Sequence, residues 1–344
     1  CRSEGFSSAS PVTSTVAFRP MWSCYHDLSG TVRKGLSTEE LAAALSSGQG
    51  TLWVDLNRED ESDTGLLRTI FNFHPLAIED SLNPESRVKL EEYRDFLILI
   101  VRGIEFCDET EDPYDIETAN LTFFLGKNFL VTVHGPESPA VDEIRGVLDR
   151  KPELVSYSPA RLMHAIVDAS VNAYFPIIDR LDEFMDGLEE KIFARFDQAA
   201  LREIFSVKRL VLSLRRHLAP QRDVFAVLTN RPSPLLTTET QIYFRDIYDH
   251  VLRINDALET FRELLSSTLD SYLSQISNRL GNASKTLSAV ATLTVPFVVV
   301  SGMWGMNFRA IPLAEHPHGF WILLVVQLLI GGFLVGMLKW LKVL

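Results

Sequence analysis

Cysteine is scarce in this chain, and several other absences narrow its possible functions. Only Cys1, Cys24 and Cys107 occur among 344 residues, which leaves no framework of disulfides and suits a reducing compartment. The sequence also lacks a GxxxxGK[ST] phosphate-binding loop and a GxSxG nucleophile elbow. We therefore expect no hydrolytic machinery, no enzymatic activity and no organic cofactor.

Basic residues are outnumbered, since 33 Lys and Arg face 45 Asp and Glu, for a net charge of −12. From residue 279 onward five basic side chains face one acid, a net of +4, so the preceding 278 residues carry −16. An acidic soluble part argues against nucleic acid as a partner, because nucleic-acid binding needs a basic face. It suits contact with divalent cations, and plain solubility is the alternative explanation.

Charge is absent altogether from residues 286–308 and 320–338. Each run is close to the ~20 residues that a helix needs to cross ~30 Å of hydrocarbon. We predict two membrane helices, at 285–308 and 320–338, joined by an external loop at 309–319. A buried helix of a soluble core is the alternative for each run.

The flanking charges predict the orientation. Lys285 precedes the first run, Lys339 and Lys342 follow the second, and the loop between carries Arg309 and Glu315. The positive-inside rule then places both termini in the cytoplasm and the loop outside a plasma membrane.

The rest of the chain divides by pattern. Residues 1–17 are rich in Ser and Thr and are predicted to be disordered. Residues 18–158 read as an α/β domain with strands at 51–56 and 93–106, a hairpin of 121–125 with 129–134, and helices at 38–47 and near 74–82. Residues 159–284 read as long helices at 161–194, at 201–228 and from 238 through 306, and residues 339–344 form a tail.

Four motifs resemble those of the CorA family of divalent-cation channels and transporters: HPLAIED at 74–80, YFRDIYDH at 243–250, ETFRE at 259–263 and GMWGMNF at 302–308. The resemblance implies an α/β cytoplasmic domain and a very long stalk helix that continues into the first of two membrane helices. It also implies a homopentameric funnel in the lipid membrane that admits Mg²⁺, and also Co²⁺ or Ni²⁺.

Asn307 ends the triplet Gly305-Met306-Asn307, which the resemblance makes the selectivity site at the pore mouth. Mg²⁺ gives up its water shell reluctantly and prefers octahedral oxygen coordination. A ring of neutral amide oxygens, one from each subunit, can bind that shell without trapping the ion as carboxylates would. The alternative is that Asn307 only caps the helix C-terminus, where Asn is common.

Six further residues are expected to line the pore by the same resemblance: Gly281, Ser284, Leu287, Val295, Val298 and Gly302. The sequence departs from the family here, because Gly281 stands where Asn is frequent and Val298 where Thr is frequent. A more apolar lining favours gating by dewetting and removes polar groups that could help select an ion.

Four acids at family positions, Glu79, Asp80, Asp168 and Asp246, are expected to bind Mg²⁺ as a regulatory ligand between neighbouring subunits. Clustered carboxylates repel one another, and a divalent cation relieves that repulsion. The ordinary alternative is a set of solvated surface acids.

The loop after the triplet also departs from the family. Glu315 could attract cations, and His316 and His318 could act as Zn²⁺ ligands, although a solvated loop is the favoured interpretation. These departures leave open a rival function, a ZntB-like zinc transporter with or without proton coupling. A second rival is a membrane-anchored metal sensor or scaffold that uses the same acidic interface.

Overall fold

The computed structural model describes residues 21–106, 116–151, 158–194, 198–306, 312 and 316–341, with the backbone alone at 105–106, 189–194 and 198–200. The disorder predicted for residues 1–17 falls outside this part of the chain. Contacts divide the molecule into two units, residues 1–265 and 266–344, and each is described by itself.

A mixed sheet of seven strands forms the core of the first unit. The strands are β1 (Trp22–His26), β2 (Val32–Lys34), β3 (Thr51–Asn57), β4 (Lys89–Glu92), β5 (Phe96–Phe106), β6 (Ile116–Gly126) and β7 (Phe129–His134). They lie in the order β2-β1-β3-β7-β6-β5-β4. Neighbouring strands are antiparallel except β3 and β7, which pair in parallel from Leu52 opposite Phe129 to Asn57 opposite His134.

Three short helices cover one face of the sheet: α1 (Thr38–Ser47), α2 (Glu61–Thr69) and α3 (Pro75–Leu82). Helix α1 lies where the sequence predicts it, because Ser37 and Glu40 form a reciprocal capping box and Gly48 ends the helix at a φ of 63°. Since side chains alternate along a strand, Leu52, Val54 and Leu56 of β3 join this apolar core.

The opposite face of the sheet receives α4 (Pro139–Arg150) and α5 (Pro159–Asn172). Here the alternate residues of β3 and β7 are partly polar and meet one another. The indole N–H of Trp53 donates to the Thr132 hydroxyl at 3.1 Å, and His134 Nε2 lies 3.0 Å from the Asp55 carboxylate. The sheet is therefore apolar on one face and carries a buried polar cluster on the other.

The single helix predicted at 161–194 is wrong, because the chain breaks there into α5 and α6 (Phe175–Ala194). Pro176 has no N–H to give to the carbonyl four residues earlier, so a continuous helix would lose a bond at this point. Tyr174 fills the break: it is fully buried, and its hydroxyl donates to the Arg102 carbonyl of β5 at 2.9 Å.

Two longer helices follow, α7 (Gln198–Asn230) and α8 (Thr238–Trp304). Helix α7 contains the stretch predicted from periodicity and ends just before Pro232, and α8 follows its predicted stretch up to Trp304, two residues short of 306. With 67 residues, α8 is ~100 Å long at the standard rise per residue. The prediction of one very long helix that continues into the first apolar run is confirmed.

The second unit holds the last part of α8 together with α9 (Gly319–Trp340). Both helices are long and apolar enough to cross a membrane by length and composition, and their apolar windows are almost entirely exposed in the single chain. That exposure separates them from the core helices of a soluble protein, whose apolar faces are covered.

Candidate ion path and regulatory acids

One face of α8 packs against α9. Ala289 is buried, and the ring of Phe297 occupies the space beside Gly331, where a Cβ would stand 2.7 Å from the ring. One turn further along, the Gln327 side chain donates to the Ser301 hydroxyl at 3.2 Å. Small residues and polar bridges of this kind hold membrane helices together where the hydrophobic effect is weak.

A different face of α8 carries the six residues predicted to line the pore. Gly281, Ser284, Leu287, Val295, Val298 and Gly302 are all exposed in the single chain. Val298 is rotated by about 100° around the helix axis from Phe297, which packs on α9. This second face of α8 is thus left free by the packing within the subunit.

The helix ends at the triplet predicted to form the selectivity site. The Gly305 N–H still bonds to the Ser301 carbonyl at 3.1 Å, and the Met306 N–H bonds to the Met303 carbonyl at 3.3 Å in a tighter turn. The Met306 side chain is half exposed. Asn307, on which the selectivity prediction depends, lies outside the described residues.

The loop between the spans is described only in part. His316 and His318 are exposed, with ring centroids 6.1 Å apart. The His318 backbone N–H donates to His316 Nδ1 at 3.2 Å, so that nitrogen is already used as a hydrogen-bond acceptor. Glu315, the acid predicted to attract cations, lies outside the described residues.

Asp80 near the end of α3 is paired within its own subunit. Its carboxylate lies 2.5 Å from the ammonium of Lys89 on β4, and Lys89 also reaches Glu91 at 3.0 Å. Partial burial acts to lower the pKa of Lys89, but the hydrogen bonds to these two acids hold that pKa above its usual value. Glu79, next to Asp80, is exposed.

Asp168 and Asp246 lie on α5 and α8, where the two helices pack through His164. The His164 ring sits 5.5 Å from the rings of both Tyr243 and Phe244. Burial lowers the pKa of His164, and the two carboxylates oppose that effect. Asp168 accepts a hydrogen bond from Asn172 at 3.1 Å, while Asp246 is mostly exposed, 3.9 Å from His250.

These four acids do not form one centre within a subunit. Across the described ranges no three His, Cys, Asp or Glu side chains lie together as a metal site. A site shared between subunits would have to combine the α3 pair of one copy with the α5 and α8 acids of another. The sequence does not predict that Lys89 and His164 lie beside these acids. Their positions result from tertiary packing, which leaves no local sequence pattern.

Known proteins are similar to this chain over most of its length. The model of the CorA-like Mg²⁺ transporter family matches residues 48–340. The chain is 31% identical over 288 residues to the putative metal ion transporter YfjQ of Bacillus subtilis, covering 84% of this chain and 87% of that protein. It is 30% identical over 285 residues to the cobalt/magnesium transport protein CorA of Thermotoga maritima, covering 80% of each.

A solved structure shares the fold over nearly the full length. The structure of the CorA magnesium transporter from Methanocaldococcus jannaschii superposes with a TM-score of 0.78 at 22% identity, covering 93% of this chain and 97% of that one. The family match spans both the α/β domain and the two apolar helices. The chain therefore belongs to the CorA-like Mg²⁺ transporter family, whose members are membrane ion transporters and not enzymes.

Proposed function

We propose that the protein is a homopentameric Mg²⁺ channel of the plasma membrane, also able to pass Co²⁺ or Ni²⁺, with both termini in the cytoplasm. The observation that carries this function is that α8 has two different faces, one packed within the subunit and one exposed. One face packs on α9 through Phe297 and Ser301, and the exposed residues from Gly281 to Gly302 lie on another.

A pore lined by the exposed face of α8 requires several subunits. A subunit contributes a single lining helix, and one helix cannot enclose a pore. Several copies that turn the exposed face of α8 inward would bury Leu287, Val295 and Val298 around a narrow path and place the Gly305-Met306-Asn307 triplets in a ring. Five copies are the number that the family resemblance implies.

The membrane potential can drive the influx of Mg²⁺ without a further energy source. The membrane potential contributes about 2.3 kcal/mol per unit charge for each 100 mV, and about twice that for a divalent ion. A neutral ring of Asn307 amides would bind the hydrated ion weakly enough for release. The apolar lining below it would close by dewetting when the path narrows.

Regulation would come from Glu79, Asp80, Asp168 and Asp246. Cytoplasmic Mg²⁺ bound between subunits would relieve the repulsion among these carboxylates and favour the closed arrangement. Loss of the ion would loosen the interface and shift the population toward an open state.

The experiment that tests the pore is the Asn307→Ala variant in a flux assay, with Asn282→Ala as the matched control. Asn282 is an exposed amide on the same helix, one residue from the lining position Gly281. We expect Asn307→Ala to lose Mg²⁺ selectivity while it still assembles, and Asn282→Ala to retain it. Normal selectivity in Asn307→Ala would remove the triplet from the selectivity site.

Zinc transport is the second candidate function, and the pair His316 and His318 favours it. Imidazole is a good Zn²⁺ ligand, and the ε nitrogen of His316 is left for a metal once Nδ1 accepts its backbone hydrogen bond. A His316→Ala/His318→Ala variant that loses Zn²⁺ flux and keeps Mg²⁺ flux would support this alternative.

A further inference from the structure

A cleft of about 870 Å³ opens in the first unit at the carboxyl ends of β3 and β7. These two strands form the one parallel pair of the described sheet. The chain leaves β3 toward α2 on one face and leaves β7 toward α4 on the other. In α/β sheets such a divergence creates a crevice where small ligands bind.

Arg58 lies in this cleft directly after β3, and no ion pair joins its guanidinium to any residue that the structure describes. Its backbone N–H donates to the His134 carbonyl at 2.8 Å, which fixes the residue at the strand ends. Guanidinium Nη1 is buried and makes no hydrogen bond to the described part of the chain. Burial, followed by a smaller contribution from Arg102, lowers the pKa of Arg58 despite the opposing charge of Glu59. A half-buried cation without an anion is costly unless something else binds it.

The two buried carboxylates close to the end of β3 have other partners, and Asp63 accepts a hydrogen bond from the Asn57 N–H at 3.0 Å. Asp55 is 2% exposed and is already held by Arg145 Nη2 and His134 Nε2. Both ring nitrogens of His134 face oxygen atoms, because Nδ1 lies against the Gly135 carbonyl. In the described part of the chain no carboxylate lies within ion-pair distance of Arg58.

The start of α4 adds donors to the same cleft. Ser138, Pro139 and Ala140 line it, and Ser138 is 9% exposed. As the N-cap residue, Ser138 makes no side-chain cap hydrogen bond, so its hydroxyl does not satisfy the first N–H groups of the helix. Helix N-termini carry partial positive charge and bind anions, phosphate above all.

The absence of a side chain at Gly135 leaves space for the Arg58 guanidinium. A Cβ on Gly135 would stand 3.0 Å from Arg58 Nη2, so any larger residue would push the side chain aside. The acids of the cleft, Glu59, Glu85, Glu117 and Glu137, are all exposed. These four exposed carboxylates form an acidic rim of the cleft, whereas Arg58 is half-buried and Ser138 is buried.

We propose that this cleft binds the phosphate group of a small cytosolic metabolite, held by the Arg58 guanidinium, the Ser138 hydroxyl and the N–H groups of Ala140 and Val141, since Pro139 at the start of α4 has none. A phosphate offers enough acceptor oxygens for all three kinds of donor, and Arg binds it in a forked geometry. The volume exceeds that of a phosphate ion and accommodates an organic portion of nucleotide size. The acidic rim favours a phosphate that arrives as its Mg²⁺ complex over a free polyanion. This site is separate from the ion path and from the four predicted regulatory acids.

Calorimetric titration of the full-length protein in detergent tests the site, at one fixed Mg²⁺ concentration, with inorganic phosphate, pyrophosphate and ADP as probes. We expect saturable binding of at least one probe with a Kd below about 1 mM. Arg58→Gln should weaken it by about tenfold or more, because a charge-assisted bond is lost. Arg68→Gln, on α2 outside the cleft, should bind as the wild type does.

A second readout separates binding from folding. Without ligand, Arg58→Gln should melt no lower than the wild type, because an unpaired cation has been removed, yet it should lose the rise in Tm that the probe gives. Gly135→Ala should weaken binding while Arg58 is intact, which covers the case in which Arg58→Gln does not fold. No binding of any probe, or equal binding by the wild type, Arg58→Gln and Gly135→Ala, would overturn the phosphate site.

Discussion

The Asp80 carboxylate lies 2.5 Å from the Lys89 ammonium, so one of the acids proposed to bind regulatory Mg²⁺ already has a cation beside it. Lys89 is shared with Glu91, and both Lys89 and Asp80 are partly buried. A metal ion at Asp80 would have to displace or share this ammonium. The pair would therefore lower the affinity of the proposed site for Mg²⁺ from within the subunit.

Lys89→Gln should make the channel more sensitive to cytoplasmic Mg²⁺. Removing the competing ammonium frees the Asp80 carboxylate, and an ion pair with this exposure is worth up to about 1 kcal/mol. We expect the half-inhibiting Mg²⁺ concentration to fall by roughly two- to fivefold, measured as flux against Mg²⁺ on the cytoplasmic side. Lys127→Gln, at the exposed β6–β7 turn, is the matched control. An unchanged or higher half-inhibiting concentration in Lys89→Gln would separate Asp80 from regulation.

Asp80→Ala combined with Asp246→Ala should weaken inhibition by cytoplasmic Mg²⁺ by about tenfold or more, because differential metal binding supplies the coupling. The same flux titration measures it. Asp182→Ala with Asp186→Ala removes the same charge from exposed positions of α6 and should leave inhibition unchanged. Full wild-type concentration dependence in the first double variant would end the sensor assignment.

Gly331→Val should disturb the packing of α8 on α9. A Cβ there would stand 2.7 Å from Phe297, so the ring would have to move, and overpacking typically costs about 1–3 kcal/mol. We expect a lower Tm in detergent and reduced flux. Gly332→Val is the neighbouring control, since within the subunit no atom lies within 4 Å of its Cβ position. Equal Tm values for Gly331→Val and the wild type would contradict this helix contact.

Cys24 should be inert in the native protein. It is fully buried on β1, and burial raises the pKa of its thiol to about 11. At pH 8 only about one molecule in a thousand then carries the reactive thiolate. In a Cys1→Ser/Cys107→Ser background, iodoacetamide labelling followed by mass spectrometry should be slow in buffer and fast in denaturant. Equal rates in the two conditions would show that β1 is not packed as described.

Local signals account for the elements that the sequence predicts well. The capping box at Ser37 and Glu40 fixes where α1 begins, and long periodicity without proline marks α8 until Pro296. The break at Tyr174 has one local signal, Pro176, and a tertiary contribution that the sequence does not show: the Tyr174 hydroxyl bonds Arg102 of β5 and Gln221 of α7.

The site residues also include some that local sequence signals reveal and others that depend on tertiary packing. The triplet, the Glu79–Asp80 pair and Asp246 each lie within a short motif of the sequence, whereas Asp168 lies outside the four motifs. The Asp80–Lys89 pair depends on how α3 meets β4, and the Arg58 cleft depends on β3 lying parallel to β7, a pairing between strands more than 70 residues apart. Such relationships are set by the packed sheet and have no local signature.

Ion uptake into proteoliposomes, comparing Mg²⁺ with Zn²⁺ in the presence and absence of a pH gradient, tests whether the protein is a Mg²⁺ channel. We predict Mg²⁺ flux that ignores the pH gradient and falls as Mg²⁺ rises on the cytoplasmic side. Zn²⁺ flux that grows with the proton gradient, without Mg²⁺ flux, would contradict the Mg²⁺ channel and assign zinc transport. No flux of any divalent ion through an assembled oligomer would instead leave a membrane-anchored metal sensor.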